Sequence, residues 1–117
     1  MKLFRLCGRK ACGYVLRKGK VWKGSTMVIR WLSGSPRTVS AREARLYVGT
    51  VASTKLHKSA VKRNRMRRRC REALRKVVRE QEKFPTCQLL ICPRSTSLHA
   101  PFVEIENDIR AFLSTFH

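Results

Sequence analysis

The residues most able to do chemistry in this sequence are the cationic side chains of one short run, AVKRNRMRRRCR, at positions 60–71. Seven of its twelve residues are Lys or Arg. Arginine dominates the run, and its planar guanidinium can donate paired hydrogen bonds to the oxygens of one phosphate. Like charges this close on a helix repel each other and destabilise it in isolation. The run therefore predicts contact with an external polyanion.

Helical periodicity predicts which side chains of this run and its continuation a partner can reach. At about 100° per residue, one face of a helix over 60–82 gathers the apolar residues, which we expect to lie in the core: Met66, Cys70, Ala73, Leu74, Val77 and Val78. The opposite face carries Asn64, Arg68, Arg71, Arg75 and Arg79. Arg65, Arg69, Glu72 and Lys76 flank it.

The type of charge on this face indicates a nucleic acid. Solvated helix faces usually alternate positive and negative residues, whereas this face has Glu72 as its one acid. Asn64 is the one amide among the basic side chains, so the face suits backbone and shape recognition more than base reading. That preference favours structured RNA over DNA.

The whole chain carries the same imbalance of charge. Lys and Arg number 27 against seven acids, a net charge of +20, and residues 1–79 hold all but three of the basic residues. Such charge opposes compaction by self-repulsion, which a bound polyanion would offset. A hydrophobic content of 43% is nonetheless enough for a packed interior. We expect a single domain over 1–117, a typical length for one core.

The sequence predicts neither a membrane-spanning segment nor a secretory signal peptide. No run of about 18 apolar residues could span a bilayer. Charges interrupt the first twenty residues throughout, unlike the apolar core of a signal peptide. The five cysteines are odd in number and form no CxxC pair, which is typical of reduced thiols. We therefore expect a cytoplasmic protein with no membrane partner.

Two further kinds of site can be weighed against the basic helix. The spacing Cys87-x4-Cys92, echoed by Cys7-x4-Cys12, suggests zinc, but residues five apart on a strand face opposite sides, so buried small hydrophobes are the better interpretation. His57 with His99 could imitate the acid-base pair of a protein ribonuclease. His57, however, lies in a basic loop, where contact with phosphate or water is the simpler role.

Catalysis by the protein itself is not expected. Phosphodiester cleavage needs a general base or carboxylates that hold metal ions. The basic half contains only Glu43 and Glu72 as acids, and no carboxylate cluster is visible. We predict no catalytic residue and no metal site in the protein.

The elements that must position the basic helix follow from periodicity and turn residues. The predicted order is α-β-β-β-α-β-α, an α+β sandwich of one sheet with helices packed on it. The predicted elements are a short helix at 9–17 closed by Gly19, strands near 20–22, 25–32 and 44–53, a helix at 60–82 capped by Ser59, a strand at 87–92 and a helix at 101–116. Turn-rich loops are expected at 33–40 and 95–99.

The segment STKLHKSAVKRNRMRRRCREAL at 53–74 resembles the signature of the bacterial ribonuclease P protein subunit. The likeness extends to FRLCGRKACGYVLRKG at 4–19 and CQLLICPR at 87–94. It implies the α-β sandwich related to the second domain of a ribosomal small-subunit protein, with a left-handed β-α-β crossover around the basic helix. It also implies a role, namely helping a catalytic RNA to remove the 5′ leader from precursor tRNA.

The resemblance also implies how that work is divided. The RNA and its Mg²⁺ ions hydrolyse the phosphodiester, and the protein binds the RNA and the leader and raises metal affinity. The expected partners are the ribonuclease P RNA and precursor tRNA with its 5′ leader, with no obligate protein partner. Taken with the charge pattern, the resemblance gives ten predicted RNA-binding residues: Lys55, Lys58, Lys62, Arg63, Asn64, Arg65, Arg67, Arg68, Arg71 and Arg75.

A cleft for the leader is implied between the sheet and the first helix. We place Arg5, Cys12, Leu16 and Arg30 there. The family usually has aromatic residues where this chain has Cys12 and Leu16, and often Tyr where it has Arg30. Trp22 and Trp31 could supply a ring, or could simply be strand core.

One alternative of a different class stays open. A ribosomal or other structural RNA-binding protein of similar fold would carry the same charge without any link to cleavage.

Overall fold

The computed structural model describes residues 2–5, 9–34, 45–80 and 86–115. Five strands, three α-helices and a 3₁₀ turn follow one another in these ranges. In chain order they are β1 (Lys2–Arg5), α1 (Arg9–Lys18), β2 (Lys20–Lys23), β3 (Met27–Ser33), β4 (Arg45–Thr50), α2 (Ala60–Arg79), β5 (Cys87–Pro93), the 3₁₀ turn (Ser95–Leu98) and α3 (Phe102–Ser114).

The strands form one mixed sheet in the order β1-β4-β5-β3-β2. β4 runs parallel to both β1 and β5, whereas β3 is antiparallel to both β5 and β2. The connection from β4 to its parallel neighbour β5 is made by α2, so the β-α-β unit predicted around the basic helix is confirmed. Its handedness stays a prediction.

The two faces of the sheet hold two apolar clusters. Strand residues point alternately to opposite faces, and β5 is central, with Cys87 through Ile91 all buried. The larger cluster joins one face to α2 and α3 through residues such as Leu89, Ile109 and Phe112. The smaller one joins the other face to α1 through Val15, Tyr47 and Leu90. The predicted α+β sandwich is confirmed.

The long helix α2 has the predicted amphipathic character. Its buried residues are the six expected from the period: Met66, Cys70, Ala73, Leu74, Val77 and Val78. Ser59 caps it as predicted, since its hydroxyl accepts a hydrogen bond from the Lys62 amide at 3.4 Å. The helix ends at Arg79, before the predicted end at 82. Residues 81 and 82 lie outside the described ranges.

The first strand was not predicted. β1 pairs in parallel with β4, in register from Lys2 opposite Arg45 to Arg5 opposite Val48, and adds a strand before α1. The remaining elements occur in the predicted order, although the loop expected at 95–99 contains the 3₁₀ turn. Most of the loop expected at 33–40 lies outside the described ranges.

Gly19 follows α1 directly, as predicted. Its amide donates to the Val15 carbonyl at 2.8 Å. A Cβ at this position would lie 2.4 Å from that oxygen and 3.1 Å from the Trp31 carbonyl oxygen. Glycine is therefore needed where the helix end comes close to β3.

Candidate nucleic-acid interface

The outward face of α2 is a continuous cationic surface. Eight of the ten residues predicted to bind RNA are exposed, seven of them basic. We call these seven the cationic strip: Lys55, Lys58, Lys62, Arg65, Arg68, Arg71 and Arg75. The eighth, Asn64, lies among them. Because the opposite side of α2 is core, packing holds the strip in place.

The guanidinium groups at the middle of the strip are open to a partner. Within the described ranges, neither Arg68 nor Arg71 makes an ion pair or a side-chain hydrogen bond. Arg75 contacts Glu72 at 3.1 Å, with more than half of each side chain exposed. An exposed pair of this kind contributes about 0–1 kcal/mol. A phosphate could therefore compete for Arg75 at little cost.

Arg63 and Arg67, the other two predicted contacts, are half-buried and have internal partners. The Arg63 guanidinium donates to the carbonyls of His57 and Lys58 at 2.8 and 3.1 Å, which ties the preceding loop to the first turn of α2. Arg67 donates to the side-chain oxygen of Asn64. An arginine has five N–H donors, so both retain donors for another ligand.

The flanking residue Arg69 has a structural role. Its guanidinium donates to the carbonyls of Ser97 at 2.6 Å and Leu98 at 2.9 Å, and also to that of Ala100. These oxygens belong to the 3₁₀ turn and the residues after it. Arg69 thus joins α2 to the start of α3 and does not belong to the strip.

The described acids near the C-terminus are mostly paired internally. Arg110 contacts Glu80 at 3.0 Å and Glu106 at 3.1 Å, and Lys76 contacts Glu106 at 3.3 Å. The hydrogen bond from Arg110 lowers the pKa of Glu80. Among the residues that the structure describes, no three His, Cys, Asp or Glu side chains cluster in a way that could hold a metal ion.

Asp108 ties α3 to the turn between β2 and β3. It accepts a hydrogen bond from the Thr26 amide at 2.8 Å, and the Ser25 hydroxyl lies 3.3 Å from the same oxygen. This carboxylate is therefore occupied by the fold.

A second surface lies where α1 crosses the sheet. Arg30 shares its sheet face with its β5 partner Leu90, and its guanidinium donates to the Leu16 carbonyl at 3.3 Å. Leu16 is 41% exposed, and Cys12 packs against the smaller apolar cluster. The structure thus brings together three of the four residues predicted for the cleft. Arg5 lies in β1, and its side chain is outside the described part of the chain.

The two tryptophans lie on the opposite face of the sheet. The rings of Trp22 and Trp31 pack edge-on against Phe112 of α3, with centroid distances of 5.7 and 6.3 Å. Both adjoin the larger apolar cluster. The interpretation as strand core is confirmed, and the alternative that they supply a ring to the cleft is wrong.

The cysteine arrangement agrees with the interpretation as small hydrophobes. Cys87 belongs to the larger cluster and Cys92 packs against the smaller one, so the two side chains face opposite sides of β5. Burial raises the pKa of both Cys70 and Cys87 to about 12. Burial also raises the pKa of Cys92, although nearby Arg30 acts in the other direction. Neutral thiols are poor nucleophiles and poor metal ligands.

His57 serves the loop before α2. Its Nδ1 accepts a hydrogen bond from the Ser59 amide at 3.0 Å. His99 is exposed after the 3₁₀ turn. The ring of His57 is therefore held by the backbone at the start of the helix.

Fold and surface together define a class of small, strongly basic α+β sandwich proteins with an open arginine-rich helix. None of the described helices is long and apolar enough to cross a bilayer. The chain belongs to the ribonuclease P family, since the family model described as Ribonuclease P matches residues 1–117. The predicted family membership is confirmed.

Curated relatives agree with this assignment. The chain is 34% identical over 108 residues to a ribonuclease P protein component of Thermus thermophilus, covering 92% of this chain and 56% of that protein. It is 35% identical over 94 residues to the corresponding protein of Thermus aquaticus, covering 80% of this chain and 49% of the relative. The chain thus spans about half the length of the curated relatives it matches.

Solved structures show the same fold. The RNase P protein from Thermotoga maritima matches with a TM-score of 0.75 at 18% identity, covering 97% of each chain. The Staphylococcus aureus RNase P protein matches with a TM-score of 0.72 at 18% identity, covering 98% of this chain and 96% of that one.

Proposed function

We propose that this chain is the RNA-binding protein subunit of ribonuclease P and assists a catalytic RNA in removing the 5′ leader of precursor tRNA. The cationic strip is the observation that carries this proposal. Arg68 and Arg71 have no partner within the described ranges. The buried apolar residues on the opposite side of α2 fix the helix that carries them. Guanidinium groups that project at helical spacing from a packed helix suit the phosphates of a folded RNA.

The protein's own residues supply binding and positioning. Arg63 holds the loop that carries Lys55 and Lys58 against α2, so these two lysines form one surface with the members of the strip that lie on the helix. By neutralising RNA phosphates, that surface lowers the repulsion within the folded RNA. This lets the RNA hold its Mg²⁺ ions at lower concentration of the metal.

The chemistry of cleavage belongs to the RNA in this proposal. Most described acids are paired, with Arg75, Arg110, Lys76 or the turn between β2 and β3, and no group of three His, Cys, Asp or Glu side chains in the described ranges could hold a catalytic metal. The Mg²⁺ that activates the hydrolytic water is therefore assigned to the RNA.

The cleft beside α1 is proposed to hold the leader. Of the residues placed there, Leu16 is exposed and Arg30 is half-buried, with its guanidinium oriented by the Leu16 carbonyl. None of the described residues that we assign to the cleft, Cys12, Leu16 and Arg30, has an aromatic ring, so these positions lack the stacking contribution of about 1–3 kcal/mol per base. We propose that contact between Arg30 and leader phosphate takes its place.

The proposal also covers the cellular compartment and the partners of the protein. We propose that the protein works in the cytoplasm, where the ribozyme and precursor tRNA are made. It is proposed to need no membrane and no protein partner, because the strip by itself provides the RNA contact.

Reconstitution with a bacterial ribonuclease P RNA tests the proposed function. Release of the 5′ leader is measured at low Mg²⁺, with the RNA alone, the protein alone and the two together. The proposal expects cleavage only when both are present, and none by the protein alone at any Mg²⁺ concentration. Cleavage by RNA-free protein would contradict it, as would a protein that leaves the RNA's rate at low Mg²⁺ unchanged.

A matched pair of variants links the rate to the strip. Arg68→Ala/Arg71→Ala should lose most of the stimulation. Val103→Glu/Ala111→Glu makes the same change in net charge on the exposed side of α3 and should retain it. If instead the two variants lose stimulation equally, only the net charge would matter.

A further inference from the structure

One apolar side chain interrupts the cationic surface. Val61, the second residue of α2, is 78% exposed, whereas the other exposed large hydrophobic residues range from 39% to 55%. Single exposed hydrophobic residues are common on protein surfaces. The position of Val61 is what distinguishes it.

Val61 lies on the outward face of α2, at its N-terminal end. Residues three, four and seven positions along a helix share its side, and here these are Asn64, Arg65 and Arg68. All three are exposed members or neighbours of the cationic strip. An RNA that contacts Arg65 and Arg68 therefore passes close to Val61.

The chemistry of RNA limits what can cover an aliphatic group favourably. Phosphates and 2′-hydroxyls are polar, and placing a valine against them gains little. In a duplex the base faces are hidden by stacking, whereas an unpaired nucleotide presents its base face and ribose carbons. The exposed valine thus favours an unpaired nucleotide at this end of the strip.

Asn64 adds a second, polar indication at the same place. Its side-chain oxygen accepts a hydrogen bond from Arg67, which fixes the orientation of the amide. The amide nitrogen then has no partner within the described ranges and remains as a donor. Base edges freed from pairing carry acceptors that match it.

We propose that the first turn of α2 contacts one unpaired nucleotide of the RNA, with Val61 packed on its base or ribose and Asn64 donating to its base edge. The inference rests on the proposed function and deepens it. The rest of the strip binds phosphates without regard to pairing. The first turn of α2 distinguishes a folded RNA with unpaired residues from a plain duplex.

The test uses an almost isosteric change that removes apolar character. Val61→Thr keeps the shape and the helix position and replaces one methyl group by a hydroxyl. Val103→Thr is the matched control, because Val103 is also an exposed second residue of its helix but has no basic neighbour one turn on. Binding is measured for a bacterial ribonuclease P RNA and for a fully paired RNA duplex of similar charge.

We expect Val61→Thr to weaken binding of the catalytic RNA about fivefold, the order of one lost apolar contact. The salt dependence should stay unchanged, because no ionic contact is lost. Binding of the duplex should not change, and Val103→Thr should behave as wild type with both RNAs. Circular dichroism and the thermal midpoint verify that both variants are folded.

The outcomes separate this inference from the proposed function. If the wild-type chain prefers the catalytic RNA to the duplex but Val61→Thr binds both as wild type does, the nucleotide contact is wrong and the proposed function stands. Equal weakening toward both RNAs would likewise overturn the contact with an unpaired nucleotide. If the wild-type chain shows no preference for the catalytic RNA, both proposals fail.

Discussion

Neighbouring arginines of α2 have different roles. Arg68 is exposed and makes no side-chain hydrogen bond or ion pair in the described ranges, whereas Arg69 donates to three carbonyls beyond β5. A hydrogen bond to a charged donor contributes about 1.5–3 kcal/mol when it is well formed, and a buried acceptor left unpaired costs free energy. Removing Arg69 should therefore affect folding, and removing Arg68 should affect binding.

This difference gives a prediction about stability. Arg69→Ala should lower the free energy of unfolding by about 2 kcal/mol, because the carbonyls of Ser97 and Leu98 lose their donor. Arg68→Ala should change it by less than about 0.5 kcal/mol, as is usual for exposed positions. Urea denaturation of the two variants measures both. Equal stability of the two would show that the contacts of Arg69 contribute nothing.

The sequence predicts part of this residue-level detail. The period of α2 predicts its buried residues, because burial follows from local geometry once the helix is assigned. It places Arg69 on a flank but gives no partner, since the carbonyl of Ser97 lies 28 positions further along the chain. The internal partners of Arg63 and Arg67 were likewise not predicted, and neither was the exposure of Val61.

An ionic network joins α3 to α2 beside their apolar contact. Arg110 of α3 contacts Glu80 just after α2 and Glu106 of its own helix, which also contacts Lys76. The hydrogen bond from Arg110 lowers the pKa of Glu80 below its ordinary value of 4.5. A lowered carboxyl pKa adds stability above the unfolded-state pKa, and that stability is lost as the pH falls through the folded-state pKa.

This network predicts the pH dependence of one variant. Glu80→Gln should have a lower thermal midpoint than wild type near neutral pH, and the two should converge below about pH 4.5. The effect should be small, because the pair is solvent-exposed. Glu104→Gln, which removes an exposed carboxylate that makes no ion pair within the described ranges, is the control. A difference between Glu80→Gln and wild type that is as large at pH 3 as near neutral pH would contradict the ionic origin.

Most elements were predictable from the sequence, including the short α1 and β2, whereas β1 was not. Predicted and observed bounds agree closely for α2, α3 and β5, whose apolar residues repeat over many positions. β1 has four residues and is stabilised by pairing with β4, which lies more than 40 positions later. No local sequence pattern predicts a pairing partner that lies so far along the chain. The sheet order β1-β4-β5-β3-β2 depends on the same long-range pairings.

The charge of the whole molecule opposes its own folding. The chain carries +20, concentrated in residues 1–79. Repulsion among exposed charges is screened over about 8–10 Å at physiological salt. Added salt therefore favours the folded state, whereas it weakens the attraction of the protein for RNA.

This opposition gives a prediction for the free protein. The thermal midpoint should rise as NaCl increases from about 50 to 300 mM, because the Debye length falls from about 14 to about 6 Å over that range. RNA affinity should fall over the same range. Scanning calorimetry and a binding titration in matched buffers provide the two readings. A midpoint that falls with salt would indicate that attractive pairs outweigh repulsion.

The central claim is that the cationic strip neutralises phosphates of a folded RNA, and the salt dependence of binding tests it most directly. The slope of log K against log salt concentration is measured for a bacterial ribonuclease P RNA with wild type and Arg68→Ala/Arg71→Ala. Each lost phosphate contact should reduce the slope by about 0.7–0.9. The account predicts a reduction near twice that value for the double variant and none for Val103→Glu/Ala111→Glu. An unchanged slope in Arg68→Ala/Arg71→Ala would contradict it.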